Sequence, residues 1–243
     1  MFRRTLATAA AAAGIAALLP LTASAAGPDP VRPLHFDGKT SKSTVVAGTC
    51  NLSIPSRVAI GKPTLTLFGK VSGTCNTPTA ASGWALHHPS LGDVNEVVFD
   101  KTYQYGDGSW YIPDNHPIGN MVFNGEGSYN ADDTTNTQNT VPVTVKLAAG
   151  AWISSSRSAD VVTLKGTSLL YSTTTNSYFK RSAGGVFQFR ERGTTTWKNL
   201  KSVYTNSKGE VTMAYRYSKL RDYRFALYST SISWDLGSAV TTR

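Results

Sequence analysis

Four histidines are the first residues to weigh for chemistry: His35, His87, His88 and His116. No G-x-S-x-G elbow presents a serine to any of them, and no H-E-x-x-H metal motif occurs. His87 and His88 are adjacent, so on a strand they point to opposite faces and do not share a metal. Carboxylates are sparse. Asp100, Asp107 and Asp114 fall in or near one loop-rich region and Glu126 follows. A glycosidase needs two carboxylates facing each other across a cleft, and nothing in the pattern favours such a pair. Asp132, Asp133 and Asn136, or Asp107, Asp114 and Asn115, are oxygen-bearing loops of the kind calcium uses. Neither follows an EF-hand, and turn preference alone accounts for Asp and Asn there. The sequence therefore assigns no catalytic residue, no metal and no cofactor.

Two constellations point to binding instead. The first is aromatic: Tyr103, Tyr105, Trp110 and Tyr111 lie in TYQYGDGSWYIP, beside Asp and Asn. Exposed, these rings suit stacking on sugars. Buried, they fill a core or brace a loop. The second is cationic. Arg190, Arg192, Lys198 and Lys201 fall on neighbouring strands, while Arg216, Lys219, Arg221 and Arg224 fall in YRYSKLRDYR, interleaved with Tyr215, Tyr217 and Tyr223. Charge is uneven along the chain. Residues 151–243 carry fourteen Lys and Arg against five Asp and Glu, whereas residues 26–150 carry eight against ten. A basic face outside a cell meets cell-wall polymers, acidic polysaccharide or another protein, or serves only as a solvated surface. Export argues against nucleic acid as the partner.

The elements that must position these residues are strands. Phe187, Phe189 and Glu191 alternate with Gln188, Arg190 and Arg192, the mark of a half-buried strand. Val211, Met213 and Tyr215 form another such series, and Tyr223, Phe225 and Leu227 a third. Thr205 to Gly209 reads as a hairpin turn. Ile232, Trp234 and Leu236 read as the last strand, and Tyr215 to Arg224 leaves room for one helical turn. Trp197 and Trp234 are expected to be structural. No long amphipathic helix is legible, and turn signals recur between short strands rich in Thr, Ser, Val and Tyr.

Residues 1–25 read as a secretory signal peptide. Arg3 and Arg4 precede the apolar run Leu6 to Leu21, and Ala23-Ser24-Ala25 is a small-residue cleavage site. The run is short for a membrane span of ~20 residues. A soluble, extracellular product with no membrane span, starting near Ala26, is expected. In an exported chain Cys50 and Cys75 are most simply one disulfide. The sequence then divides into a polar, Pro-rich flexible leader over 26–44, a first β-sandwich over 45–150 with the disulfide, and a second, basic sandwich over 151–243. One larger sandwich is the alternative.

The second half resembles the immunoglobulin-like or fibronectin-like modules of secreted actinobacterial proteins. The features that carry this are VTLKG, VFQFRERGTTTWKNLKSV, TNSKGEV and DYRFALYSTS. Tyr223, two residues before Phe225, resembles the tyrosine that marks the corner of such sandwiches. The resemblance covers about 90 residues well and the first half only loosely. It implies an all-β protein of two immunoglobulin-like antiparallel sandwiches in tandem, serving as a binding, spacing or structural unit. It transfers no catalytic residue.

Overall fold

Period-two alternation governs the chain wherever it can be followed. The computed structural model describes residues 45–75, 81–100, 106–132 and 134–243. Residues 1–25 and 26–44, read above as a signal peptide and a leader, lie outside these residues. Every regular element among them is a strand.

The first half contains β1 (Val46–Ser53), β2 (Arg57–Ile60), β3 (Thr64–Phe68), β4 (Lys70–Gly73), β5 (Ala81–His88), β6 (Gly92–Phe99), β7 (Ser109–Pro113), β8 (Gly119–Tyr129), β9 (Thr135–Gln138) and β10 (Val141–Leu147). The long β8 organises them. It pairs antiparallel with β10 through its first residues and with β5 through its later ones, and β6 adds beyond β5. At Tyr129 the chain turns into β9, which carries β1 and then β4. Two pairings, β1 with β9 and β2 with β10, are parallel, which departs from a wholly antiparallel expectation. β3 and β7 form a separate two-stranded ribbon.

Alternate residues of these strands meet in one core: Leu52 of β1, Trp84 and Leu86 of β5, Phe123 of β8 and Val145 of β10 are all buried. Rings of this size bury roughly 150–250 Å² each, about 4–6 kcal/mol of transfer free energy. The Trp84 indole N–H is satisfied by the Asn139 carbonyl at 3.0 Å. The Asn139 side chain in turn bonds the Leu52 N–H at 2.8 Å and the Leu52 carbonyl at 3.0 Å, acting as one more strand residue beside β1. Cys50 and Cys75 are bonded, with Cα atoms 5.3 Å apart.

The second half contains β11 (Ala149–Ser158), β12 (Val161–Ser172), β13 (Ser177–Lys180), β14 (Gly184–Glu191), β15 (Lys198–Tyr204), β16 (Glu210–Arg216), β17 (Arg221–Leu227), β18 (Leu236–Gly237) and β19 (Thr241–Thr242). One sheet sets β11 and β16 on either side of β12, with β13 beside the end of β12. The other runs β15, β14, β17, with β18 and β19 completing its edge. First, second and fifth main strands in one layer, with third, fourth, sixth and last in the other, is the immunoglobulin-like arrangement. Val162 and Leu164 from one layer meet Phe187, Tyr223, Phe225 and Leu227 from the other. The alternating series Tyr223, Phe225, Leu227 faces inward, as its pattern requires.

Three local expectations change. The turn at Asn206 to Gly209 forms, with Gly209 at φ 70° and the Asn206 side chain capping it. It does not close a hairpin, because β15 and β16 belong to opposite sheets. The connection after Arg216 holds no helical turn. β16 and β17 extend so far that only Tyr217–Leu220 remain, and Arg157 fixes their carbonyls at Tyr217 and at Lys219. Trp234 is not in a strand. It lies between an isolated bridge at Ser233 to Leu147 and the short β18, because its segment turns back onto the first half. There its indole N–H bonds the Val58 carbonyl at 2.6 Å.

Candidate functional site

The six candidate cations separate into three kinds. Arg221 is a structural residue. Its guanidinium bonds Glu191 at 2.5 Å and lies 3.4 Å from the Tyr217 ring centroid and 4.2 Å from that of Phe189, with its side chain 16% exposed. The bond from Arg221 holds the Glu191 carboxyl below its ordinary pKa. Arg216 is exposed but paired with Asp160 at 3.1 Å. Arg192 and Lys219 are exposed residues of connections. Arg190 and Arg224 form the third kind.

Phe187, Phe189, Tyr223 and Phe225 point inward from β14 and β17. The same alternation sends Gln188, Arg190 and Arg224 to the outer face of the sheet. Trp197, just before β15, reaches over that face. Its ring centroid lies 4.8 Å from the Arg190 guanidinium carbon and 4.4 Å from that of Arg224. Arg190 also pairs with Asp222 at 3.0 Å. Arg224 has no carboxylate partner among the described residues. Its Nε donates to Gln188 Oε1 at 2.7 Å, and Gln188 Nε2 donates to Asn199 Oδ1 at 2.8 Å. Partial burial, and then the neighbouring Arg190 charge, lowers the Arg224 pKa. The indole that joins the two arginines is partly exposed rather than core. Its place could be found only from the register of β14 against β15, which contains a bulge between Phe187 and Gln188.

The balance of charge follows. Each of the five carboxylates in the second half is ion-paired: Asp160 to Arg216, Glu191 to Arg221, Glu210 to Lys165 and Lys180, Asp222 to Arg190, and Asp235 to Arg57 of the first half. Of the cations left without a carboxylate partner among the described residues, Arg192, Lys198, Lys201, Lys208, Lys219 and Arg243 are exposed, whereas Arg157, Arg181 and Arg224 are partly buried.

Of the aromatic constellation, Trp110 takes the buried alternative. Trp110 is fully buried in the first core, edge-on to Phe123 at 5.1 Å between centroids, because the β7 residues that face inward are Trp110 and Ile112. A ring so placed does not stack on a sugar. Tyr111 is 46% exposed on the opposite face of β7. Tyr103 and Tyr105 lie outside the described residues. Other rings are exposed elsewhere, among them Tyr204, Tyr228, Phe68 and Trp152, the last 63% exposed. Only the face-by-face register distinguishes them from core rings.

His87 meets Asp93 at 3.0 Å, and His88 accepts a bond from the Ser90 N–H at 3.2 Å. His116 is buried, and burial lowers its pKa. Asp132 accepts bonds from Thr134 N–H and hydroxyl, an Asx turn that explains that residue. Asp133 lies outside the described residues. Among the described residues no group of three or more His, Cys, Asp or Glu is placed to hold a metal ion. None of their elements is a helix long and apolar enough to cross a membrane.

No family model matches the sequence, and no curated protein matches it. Solved structures do. A Salmonella alpha-2-macroglobulin mutant is 12% identical with a TM-score of 0.38, covering 84% of this chain and 15% of its own. The D00-D0 domain of intimin is 12% identical with a TM-score of 0.26, covering 79% of this chain and 98% of its own. A DUF3823 family protein from Bacteroides uniformis is 12% identical with a TM-score of 0.28, covering 80% and 98%. The chain thus spans 15% of the length of the macroglobulin. At these TM-scores the likenesses carry no argument about what this chain does.

Proposed function

We propose that the chain is a secreted, non-enzymatic binding or structural protein whose basic second half associates with anionic polymers of a cell envelope. One observation carries this reading. The five carboxylates of that half are already ion-paired, and nine of its fourteen Lys and Arg have no carboxylate partner among the described residues, six of them exposed. Export rests on the signal-peptide pattern of residues 1–25 and accords with the Cys50–Cys75 disulfide. The competing sugar reading centred on Trp110 loses its central ring to the core.

The test is binding of the exported protein to purified cell-wall material as salt is raised. Between about 10 mM and 1 M the screening length falls from roughly 30 Å to 3 Å, and binding collapses if exposed cations carry it. Binding that ignores salt and yields to a neutral sugar would sink the reading. The N-terminal sequence of the exported protein tests processing, with a start at Ala26 expected.

A further inference from the structure

The outer face of the β15–β14–β17 sheet carries aromatic and polar side chains on either side of the apolar pair Val186 and Ala226. At one end Tyr204 and Tyr228 are 70% and 47% exposed. They flank Gly184, where an added Cβ would lie 3.3 Å from the Tyr228 ring and 3.6 Å from that of Tyr204. Tyr228 is steadied by the Ser202 hydroxyl at 2.9 Å. In the middle the side-chain amides of Gln188 and Asn199 lie side by side. At the other end are Arg224, Trp197 and Arg190. From Gly184 to Arg190 this face runs about 20 Å along β14, enough to lay several sugar residues end to end.

We propose that this face, from the Tyr204 and Tyr228 pair to Arg224 and Trp197, is the binding surface for a polysaccharide that carries carboxylate groups. The inference rests on the polyanion reading above and gives it a place and a ligand class. Arg224 supplies the recognition. Among the described residues only its Nε makes a hydrogen bond, so its Nη groups keep donors for a planar carboxylate, the partner a guanidinium fork fits best. The adjacent Arg190 is paired with Asp222, so the two guanidiniums together keep close to one net positive charge. Repulsion between the two guanidiniums is relieved when an anion arrives. Exposed rings and amides answer the other features of a sugar acid, its apolar ring face and its hydroxyls. A simple phosphate polymer has no ring face for Tyr204, Tyr228 and Trp197 to meet.

The experiment measures binding of the exported protein to polygalacturonate, neutral dextran and polyphosphate at low salt. Arg224→Gln and Trp197→Ala are expected to weaken polygalacturonate binding by about tenfold or more, the scale of a lost charge-assisted contact. Tyr204→Ala is expected to weaken it severalfold. Lys208→Gln removes the same charge from the same half of the chain but lies off this face, and is expected to change it less than about twofold. Arg224→Lys keeps charge and fold and loses the planar fork, and it too is expected to bind weakly. Circular dichroism confirms folding of each variant. Equal losses in Arg224→Gln and Lys208→Gln would overturn the assigned face while leaving the polyanion reading intact. Polyphosphate bound as tightly, without sensitivity to Trp197→Ala, would overturn the ligand class. Failure of the unaltered protein to bind either polyanion would overturn both this inference and the reading beneath it.

Discussion

The hydroxyls of Tyr215 and Tyr223 lie 2.6 Å apart, on strands that belong to opposite sheets of the second half. Tyr223 occupies the corner position of an immunoglobulin-like sandwich, but its hydroxyl does not turn back to the backbone upstream, as corner tyrosines do. It crosses the core instead. The two members of the pair are not equivalent. Tyr223 is fully buried, and burial followed by the hydrogen bond it shares with Tyr215 raises its pKa. Tyr215 is partly exposed.

An asymmetry in stability follows from that difference. Tyr223→Phe leaves the Tyr215 hydroxyl free to turn toward water, and costs about 1 kcal/mol. Tyr215→Phe strands a buried hydroxyl, and costs about 1–3 kcal/mol. The double variant costs less than the two single changes added together, because they remove one shared bond. Urea unfolding of the three variants measures this. A larger loss in Tyr223→Phe than in Tyr215→Phe would show that the hydroxyl is satisfied from another side.

The disulfide gives a second expectation. Cys50 is fully buried and Cys75 nearly so. The bond closes a separation of 25 residues, for which loop entropy gives roughly 3 kcal/mol. Replacing both cysteines by alanine lowers stability by about that amount. Reductant added to the native protein leaves the bond intact, and the same reductant in denaturant cleaves it rapidly. Mass spectrometry after alkylation distinguishes the two. Fast alkylation under native conditions would contradict the burial.

The inward series of β17 was legible in the sequence because alternation alone decides which side chains share a face. What alternation does not decide is which face meets a second layer. Trp110 and Tyr111 are neighbours on β7, and the pattern gives no reason to bury the first rather than the second. Cross-strand placement was equally hidden. Arg190 and Arg224 are 34 residues apart in sequence, and Trp197 meets both only through the pairing of β14 with β17 and the bulge beside Gln188. The turn at Asn206 was readable from Asn and Gly, but not the fact that the chain there passes from one sheet to the other. Counting charges located the basic half. The ion pairs that withdraw Arg216 and Arg221 from that surplus depend on tertiary contacts.

Stability is expected to fall in two separate pH windows. The His116 pKa is lowered by burial, despite the opposing bond between its Nδ1 and the Pro117 carbonyl, with His88 adding to the depression. The unfolded chain therefore takes up this proton first, and stability declines as pH drops below about 6.5. The Glu210 pKa is held down at about 2 by bonds from Lys180 and Lys165. A depressed carboxyl contributes above its unfolded pKa, and that contribution is lost as pH falls from about 4.5 through about 2. Asp132, Glu191, Asp222 and Asp235, also lowered, act in the same acid window. Urea midpoints measured from pH 8 to pH 3 resolve the two. His116→Asn, which keeps a donor for Pro117, flattens only the upper window, and Glu210→Gln reduces only the lower one. A single smooth decline unaffected by His116→Asn would remove His116 from the account.

Trp234 determines how the two halves unfold. Its ring centroid lies 4.2 Å from the Arg57 guanidinium carbon and 4.5 Å from Lys146 Nζ, while its N–H holds the Val58 carbonyl. Asp235 beside it pairs with Arg57 at 2.5 Å. One segment following β17 thus grips β2 and β10 of the first half. Each half keeps its own buried cluster, apart from Tyr171 of β12, which packs in the first. Cooperative unfolding of the whole chain therefore depends on a small set of contacts. Trp234→Ala removes the largest of them, at about 2–4 kcal/mol for the lost ring and its two cation contacts. Calorimetry should show one transition for the unaltered protein and two for the variant, because coupling falls while both cores persist. One undivided transition in Trp234→Ala would mean that the remaining contacts, Tyr171 in the first core, the Arg57–Asp235 pair and the Leu147–Ser233 bridge, are enough to couple them.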